Sequence, residues 1–272
     1  MTMLCDLHTH STASDGQYTP TALVRLAEER KLEALALTDH DTVDGLEEAI
    51  QAGARAGIRV IRGIELSAKE FPTFHILGYG FAPEAPALSA LCRELKEGRD
   101  QRAPRIISFL EERGARISLS EVEELAGGQI VGRPHFAQVL VRHGYVSSNR
   151  EAFDRYLDTE EFQRRVERPK PLAQVCVETI RAAGGKVSLA HPYQIGAGSE
   201  TLEGIVRHLA NHGLDAIECF YPKHTPEQRD FYLKLAEKYS LHVTGGSDFH
   251  GEQVKPDVQL AALELEIDWL LE

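Results

Sequence analysis

The sequence lacks three features, each of which would define a class of protein. Its four cysteines lie far apart and form no CxxC pair, which argues against a disulfide framework and against a structural zinc site. It has no long apolar run, so it predicts neither a transmembrane segment nor a secretory leader. It also lacks a surplus of basic residues, because its net charge is −12. A broad surface for long duplex nucleic acid or for an anionic membrane is therefore not expected.

The composition is that of an ordinary globular protein. Its 272 residues are enough for one large barrel domain or for two smaller domains, and its apolar content is sufficient for a core. We expect a cytoplasmic protein with no membrane association and no obligate protein partner. The acidic net charge still allows a small phosphorylated substrate to bind in a locally positive pocket.

Short β-like runs alternate with amphipathic helical segments in two parts of the chain. This alternation is typical of a mainly parallel sheet in an α/β protein. Helix-start signals occur at Thr19-Pro20 and at Asp44, which Glu47 follows three residues later. The predicted helices cover residues 20–31, 44–56, 172–183, 200–212 and 226–240. The predicted strands are Leu4–His8, Ala34–Thr38, Arg59–Leu66, Phe74–Gly78, Lys186–Ala190, Ala216–Phe220, His242–Gly246 and Ala262–Leu265.

The β-like runs disappear between Pro86 and Lys170, and this segment resembles several helices separated by glycine and proline signals. The sequence therefore predicts a barrel that is split along the chain. We expect residues 1–98 and 170–272 to form the barrel, and residues 99–169 to form a helical insertion that serves as a lid over the active site.

Histidines and carboxylates occur where the predicted strands end. In parallel β/α barrels the carboxyl ends of the strands face the loops that build the active site, so residues remote in sequence should converge there. Alternation along an extended segment places the imidazoles of His8 and His10 on the same side. These strand-end residues are Asp6-Leu7-His8-Thr9-His10 with Asp15, Thr38-Asp39-His40-Asp41, Glu65, His75, His191-Pro192 and Ser247-Asp248-Phe249-His250.

Each of these motifs also has an ordinary structural explanation. Alternate histidines can be surface or core residues, Asp15-Gly16 can be a turn, and Asp41 can cap a helix. Their recurrence at five strand ends favours function, because buried charged groups need partners. Carboxylates mixed with imidazoles, without thiolates, suit Mn, Fe, Zn or Mg. The motifs together therefore predict a divalent metal site.

The ordered motifs resemble the PHP (polymerase and histidinol phosphatase) domain of the amidohydrolase-like metalloenzymes. The matching signatures are His8-x-His10 with Asp15-Gly16, Thr38-Asp39-His40-Asp41, His191-Pro192 and Ser247-Asp248-x-His250. The resemblance implies an α/β fold, a distorted (β/α)₇ barrel, that holds two or three divalent ions, with Mn favoured over Fe, Zn and Mg. It implies nine metal ligands: His8, His10, Asp15, His40, Glu65, His75, His191, Asp248 and His250.

Longer shared stretches, among them Gly132-Arg133-Pro134-His135-Phe136, resemble bacterial nucleoside 3′,5′-bisphosphate phosphatases and 5′-to-3′ exoribonucleases. The resemblance implies hydrolysis of nucleoside 3′,5′-bisphosphates, or of the 5′ ends of short single-stranded RNA, by a metal-bound hydroxide. It implies catalytic roles for Glu65, Asp248 and His191. It also implies substrate contacts at Arg133 and His135, whose structural alternatives are a helix-start arginine and a capping histidine.

Two departures from these relatives leave the substrate open. Tyr193-Gln194-Ile195 stands where they carry Gly-Arg-Tyr, and Glu160–Lys170 replaces a Gly-Lys segment. A histidinol-phosphate or other small-molecule phosphatase and a non-catalytic metal-binding module therefore remain alternatives. A serine hydrolase built on Ser247, Asp248 and His250 is set aside, because residues so close on an extended segment cannot adopt triad geometry. Replacement phosphate contacts are sought among Arg164, Arg165, Lys170, Lys223 and His224.

Overall fold

The chain divides into two compact units in this computed structural model, which describes residues 1–126, 131–166 and 168–271. The first unit comprises Met1–Arg93 and Lys170–Glu272, and the second comprises Glu94–Pro169. The boundary between Arg93 and Glu94 falls inside a helix that spans Pro86–Asp100. The predicted division of the chain at residues 98 and 169, and the role of the insertion as a lid, stay predictions.

Within the described residues, eight strands form one sheet in the first unit, with the order β7-β6-β5-β4-β3-β2-β1-β8. Each of them overlaps one of the predicted strands. The strands are β1 (Thr2–Thr9), β2 (Ala34–Leu37), β3 (Arg59–Ser67), β4 (His75–Tyr79), β5 (Lys186–Leu189), β6 (Ala216–Phe220), β7 (His242–Gly245) and β8 (Leu263–Glu266).

The sheet curls into a nearly closed barrel, which confirms the predicted α/β barrel fold. The first strand meets the segment that follows the seventh, where the backbone N–H of His10 donates to the carbonyl of Phe249 over 2.9 Å. Adjacent strands are parallel in β1-β2-β3 and in β5-β6-β7, whereas β4 and β8 are antiparallel to their neighbours. The reversal of β4 follows from the short loop after Ser67, since a parallel crossover needs a dozen or more residues.

The helices lie between the strands in the first unit and make up the second. The side chain of Thr19 accepts a hydrogen bond from the N–H of Ala22 at the start of the first helix, as the sequence predicts. The predicted Asp44–Glu47 capping pair is wrong, because Gly45 occupies the N-cap of the second helix without a side-chain cap. The helices are α1 (Pro20–Glu29), α2 (Leu46–Ala56), α3 (Pro86–Asp100), α4 (Arg102–Glu112), α5 (Leu119–Ala126), α6 (Arg133–Arg142), α7 (Asn149–Ala152), α8 (Glu160–Val166), α9 (Ala173–Ala182), α10 (Ser199–Ala210), α11 (Pro226–Lys238) and α12 (Asp268–Leu271), with a π-helical turn at Phe153–Leu157 and a 3₁₀ turn at Pro192–Ile195.

The barrel unit has an apolar core inside the sheet. The hydroxyl of Tyr79 on β4 donates to the carbonyl of Leu7 on β1 over 2.9 Å, although two strands separate β1 from β4 in the sheet. A side chain can reach the backbone of a non-adjacent strand in this way only across the barrel interior. The cluster includes Cys5, Leu7, Ala34, Ala36, Ile61, Leu77, Tyr79, Ala216, Leu265 and Trp269.

The helical unit has a separate apolar core, in which Phe109 and Phe162 pack edge to face with ring centroids 5.3 Å apart. Between residues 80 and 185 the described part of the chain forms helices and no strand. No helix in the described ranges is both long and apolar enough to cross a membrane.

Candidate metal centre

The nine predicted metal ligands lie at one rim of the barrel. In the parallel strands they stand at or just after the carboxyl ends, as His10 does after β1 and His191 after β5. His75 instead begins β4. Because β4 runs antiparallel and pairs His75 with Ser67 at the end of β3, its first residue reaches the same rim. The antiparallel strand β4 therefore adds His75 to the predicted ligands at this rim.

Glu65 lies at the centre of the cluster and is fully buried. Its Oε2 atom lies 3.0–3.2 Å from ring nitrogens of three histidines, and its Oε1 atom lies 2.8–2.9 Å from ring nitrogens of two others. The Oε2 set is His8, His10 and His40, and the Oε1 set is His75 and His191. The two oxygens thus face two different sets of imidazoles, which is the arrangement of a carboxylate that can bridge two cations.

Two further carboxylates complete the ligand groups. Asp15 Oδ1 lies 3.3 Å from Nε2 of His250, and Asp248 Oδ1 lies 3.3 Å from Nε2 of His10. The described residues contain three groups whose ligand atoms all lie within 4.8 Å of one another. These groups are His10, Asp15, His40 and His250; His8, His10, Glu65 and Asp248; and His40, Glu65 and His75. His191, whose Nε2 lies 2.9 Å from Oε1 of Glu65, is the ninth predicted ligand. The structure thus brings all nine side chains together.

Several buried polar atoms of this cluster lie close to one another but make no hydrogen bond in the described part of the chain. Within the described residues, no hydrogen bond reaches Nε2 of His8, either ring nitrogen of His10, Oε2 of Glu65 or Nδ1 of His191. A buried polar atom without a partner costs about 1–3 kcal/mol. Converging imidazole nitrogens and carboxylate oxygens are the donor set of Mn, Fe and Zn sites. The residues present therefore fit divalent cations.

The carboxylates of the cluster stay ionised. Burial alone raises the pKa of Glu65, but the imidazoles of His40, His8 and His75 outweigh it and hold the pKa well below its ordinary value. The pKa of Asp248 is lowered in the same way, chiefly by His10. These groups are therefore available as anionic ligands at neutral pH.

The histidines divide into two electrostatic groups. Burial lowers the pKa of His40, His75 and His250, which favours the neutral imidazole that binds a cation. Burial acts in the same direction on His8 and His10, but the carboxylates, with Glu65 prominent among them, raise the pKa of His8 well above its usual range and that of His10 to about 9. The centre thus demands positive charge, which divalent cations would supply as they displace these two protons.

Glu218 supports the cluster from behind and belongs to none of the motifs that predict a functional role. It is fully buried on β6. Its Oε1 lies 3.1 Å from Nδ1 of His8, and its Oε2 accepts the backbone N–H of His191 over 2.6 Å. The available signal was a glutamate inside an apolar strand, Ala216–Phe220. A carboxylate behind a ligating histidine fixes the ring orientation and raises its basicity.

Three aspartates from the strand-end motifs hold loops instead of facing the cluster. Asp6 accepts the backbone N–H and the hydroxyl of Ser247. Asp39 accepts hydrogen bonds from Ser11 and Ser14, and Asp41 accepts the backbone N–H of the last residue of β3. They position the ligand-bearing segments relative to one another.

Asp248 has an outer side that the sequence analysis also missed. Its Oδ2 accepts the hydroxyl of Tyr221 over 2.9 Å and lies 2.6 Å from Nζ of Lys255. Only Oδ1 faces the histidines. Neither partner stands in a recognisable motif, so no sequence signal marked them.

Arg133 and His135 both have structural partners in the helical unit. Nη1 of Arg133 donates to Oδ1 of Asp158 over 2.9 Å and to the carbonyl of Leu157 over 3.3 Å. Nδ1 of His135 accepts the backbone N–H of Gly132 over 2.9 Å at the start of α6. These are the helix-start and capping roles that the sequence offered as alternatives, and a substrate contact stays a prediction.

The other predicted phosphate contacts are surface groups or are engaged with the protein. Arg165 pairs with Glu112 over 2.7 Å. Lys170 donates to the carbonyl of Pro72 over 3.2 Å, and His224 donates through Nδ1 to a carbonyl of β6. Arg164 and Lys223 are exposed.

A buried imidazole–carboxylate cluster at the strand-end rim of an α/β barrel defines a metal-dependent hydrolase in structural terms. The family follows from comparison with known proteins. The chain belongs to the PHP domain family, whose model matches residues 6–163.

Named relatives match the chain along most of its length. It is 36% identical to a 5′-3′ exoribonuclease of Haemophilus influenzae, over 92% of this chain and 91% of the relative. It is 35% identical to a 3′,5′-nucleoside bisphosphate phosphatase of Chromobacterium violaceum, over 90% and 86%. It is 34% identical to a phosphoribosyl 1,2-cyclic phosphate 1,2-diphosphodiesterase of Eggerthella lenta, over 92% and 95%.

Solved structures show the same fold. An amidohydrolase from Chromobacterium violaceum with bound sulfate and no metal has a TM-score of 0.79 at 33% identity, over 96% of this chain and 92% of that one. A protein from Bifidobacterium adolescentis described as a metal-dependent phosphoesterase has a TM-score of 0.77 at 29% identity, over 98% and 93%. The chain is accordingly a metal-dependent hydrolase of phosphate esters, as the sequence predicts.

Proposed function

We propose that this enzyme hydrolyses phosphate esters of nucleotides, with nucleoside 3′,5′-bisphosphates or the 5′ ends of short single-stranded RNA as its substrates. The observation that carries phosphoester hydrolysis is Glu65, whose two oxygens face two sets of imidazoles. The nucleotide class is supported by the exoribonuclease and bisphosphate phosphatase relatives, which align over at least 90% of this chain.

We propose two or three divalent cations in the three ligand groups, with Mn favoured and Fe, Zn or Mg as alternatives. The mixed imidazole and carboxylate donors, without a cysteine thiolate, support this choice. When bound, such cations activate a water molecule and neutralise the charge of the phosphoryl oxygens.

The residues of the centre divide the remaining work between them. Glu65 would hold cations through both of its oxygens, because each oxygen faces imidazoles. Asp248 offers Oδ1 alone, since Oδ2 is held by Tyr221 and Lys255. His191 contacts Glu65 through Nε2, so its Nδ1, which has no hydrogen-bond partner in the described ranges, is the atom at which a proton can be held or released.

We further propose that Arg133 and His135 contact the phosphate group that does not react. Both belong to the first turn of α6, and helix N-termini favour anions. Binding energy from such a remote phosphate would position the reacting one.

A substrate panel tests the proposed function. Protein loaded with Mn²⁺ is assayed for hydrolysis of nucleoside 3′,5′-bisphosphates, short 5′-phosphorylated RNA, nucleoside 5′-monophosphates and histidinol phosphate. A cyclic phosphodiester of phosphoribose is included, because the Eggerthella lenta relative carries that activity in its name. We expect the bisphosphates or the RNA to be turned over fastest, with no activity in His8→Ala, which removes a ligand from the cluster.

The other outcomes separate the alternatives. Preference for histidinol phosphate would assign a small-molecule phosphatase, and preference for the cyclic ester would assign a phosphodiesterase. Metal binding without turnover of any of these substrates would contradict the proposed nucleotide function and favour a non-catalytic metal-binding module.

A further inference from the structure

We propose that Tyr193 is a stacking platform for the base of the nucleotide substrate, an inference that rests on the nucleotide specificity proposed above. Tyr193 lies in the 3₁₀ turn Pro192–Ile195, directly after the ligand His191. Its ring belongs to an aromatic group beside the metal centre that no step of the hydrolysis uses.

The aromatic group stands at the rim that carries the metal ligands. Tyr193 follows β5 and Tyr221 follows β6, at the carboxyl ends of two neighbouring parallel strands. The ring centroid of Tyr193 lies 5.5 Å from that of Tyr221 and 5.5 Å from that of His224. Tyr221 and His224 are themselves 5.2 Å apart. The three rings form one aromatic cluster.

This aromatic cluster contacts the metal centre through Tyr221. The Tyr221 hydroxyl donates to Oδ2 of Asp248, and its ring lies 5.8 Å from that of His191. The ring of Tyr221 therefore lies between Tyr193 and the predicted metal ligands Asp248 and His191. In a nucleotide, one sugar ring separates the phosphate from the base. A substrate whose phosphate lies at the metals can thus bring its base to Tyr193.

The exposure of the rings agrees with this placement. Tyr221 is buried, with 7% of its surface exposed, whereas Tyr193 is partly exposed. His224 is also partly exposed, but Tyr193 lies in the turn directly after His191 and offers a larger ring to a ligand. Stacking on an aromatic side chain tolerates any base, because every base has a π face.

The turn that carries Tyr193 is held in place from several sides. The backbone N–H of His191 donates to Glu218 over 2.6 Å. The hydroxyl of Thr73 donates to the carbonyl of Gln194 over 2.5 Å, and Nε2 of Gln194 donates to the hydroxyl of Tyr221 over 2.9 Å. A platform fixed before binding loses little conformational freedom when the ligand arrives, which favours affinity.

The test compares a nucleotide with its base-free counterpart. Adenosine 3′,5′-bisphosphate and 1-deoxyribose 3,5-bisphosphate carry the same phosphates on a sugar, and only the first has a base. We expect Tyr193→Ala to lower kcat/KM for adenosine bisphosphate by about 10-fold, which corresponds to about 1.4 kcal/mol, and to leave the base-free substrate unchanged. Tyr193→Phe keeps the ring and should retain wild-type values on both, whereas Tyr193→Leu, apolar but not aromatic, should behave like the alanine variant.

Each contrary result has a definite meaning. Equal losses on the two substrates, or an unchanged preference for the nucleotide in Tyr193→Ala, would show that the ring only packs against its neighbours and would overturn the platform alone. If the wild-type enzyme hydrolyses an ester without a nucleobase but neither adenosine bisphosphate nor short 5′-phosphorylated RNA, the proposed nucleotide function fails and the platform fails with it.

Discussion

Both units have exposed ion pairs, but among the described residues only the barrel unit also buries carboxylates. In the barrel unit, carboxylates such as Glu65 and Glu218 are completely buried and contact residues far away in sequence. In the helical unit, ion pairs are exposed, and several join residues four positions apart on one helical segment. One example is Arg165 and Glu161, whose side chains are 40% and 46% exposed.

This difference shows where selection for function outweighs stability. Exposed ion pairs contribute little to stability, whereas burying a charged group is costly unless its partners compensate. The helical unit surrounds an apolar core with solvated charges, an arrangement that folding alone explains. Folding alone does not explain why the barrel buries carboxylates among histidines at one rim, whereas the binding of cations by these side chains explains it.

Replacing Glu65 should have the largest effect of any exchange considered. Glu65→Gln removes the negative charge that faces five imidazoles, so we expect loss of bound metal and a fall in kcat of roughly 10³-fold or more. Metal content by elemental analysis and phosphate release measure the two effects. The matched control is Glu161→Gln, the same exchange at an exposed ion pair of the helical unit, which should retain both. A Glu65→Gln protein with full metal and full activity would refute the central role of this carboxylate.

Replacing Glu218 should have a smaller effect, because it acts through two ligands and does not itself face the centre. Glu218→Ala removes the acceptor of the His191 backbone N–H and the partner of His8. Loss of such a supporting carboxylate typically lowers metal affinity or activity by about 10- to 100-fold. Metal titration followed by kinetics at saturating metal distinguishes affinity from rate. Glu218→Gln retains an acceptor for the His191 N–H and should lie between wild type and Glu218→Ala; equal values for all three proteins would contradict a positioning role.

Much of the barrel and of the ligand cluster could be predicted from the sequence, since both depend on local patterns. Apolar runs that end in histidine or aspartate marked the strands and the ligands together, as at Ala34–His40. Even His75, a predicted ligand, lies in the cluster, although the reversal of its strand was not predicted. That reversal follows from the short connection between β3 and β4, a signal that was present in the sequence but was not used.

The residues that support the ligands could not be predicted in the same way. Glu218, Tyr221 and Lys255 act through contacts between segments that only the closed barrel brings together. No short motif contains them. The predicted capping pair of Asp44 and Glu47 is wrong for a local reason. The helix α2 begins one residue later than predicted from this pair, with Gly45 at its N-cap.

Arg133 allows the comparison of the two units to be tested at a residue of the helical unit for which the sequence predicts a substrate contact. Its guanidinium pairs with Asp158, so Arg133→Ala removes both this ion pair and any contact with substrate, whereas Asp158→Asn weakens the pair and retains the guanidinium. If Arg133 binds the non-reacting phosphate, Arg133→Ala should lower kcat/KM for a nucleoside bisphosphate by about 10-fold, and Asp158→Asn should not. Turnover of the corresponding 5′-monophosphate, which has no second phosphate, should be the same in both variants. Parallel losses of melting temperature, with no difference in kinetics between the two variants, would instead assign Arg133 to the fold and place the whole substrate site in the barrel unit.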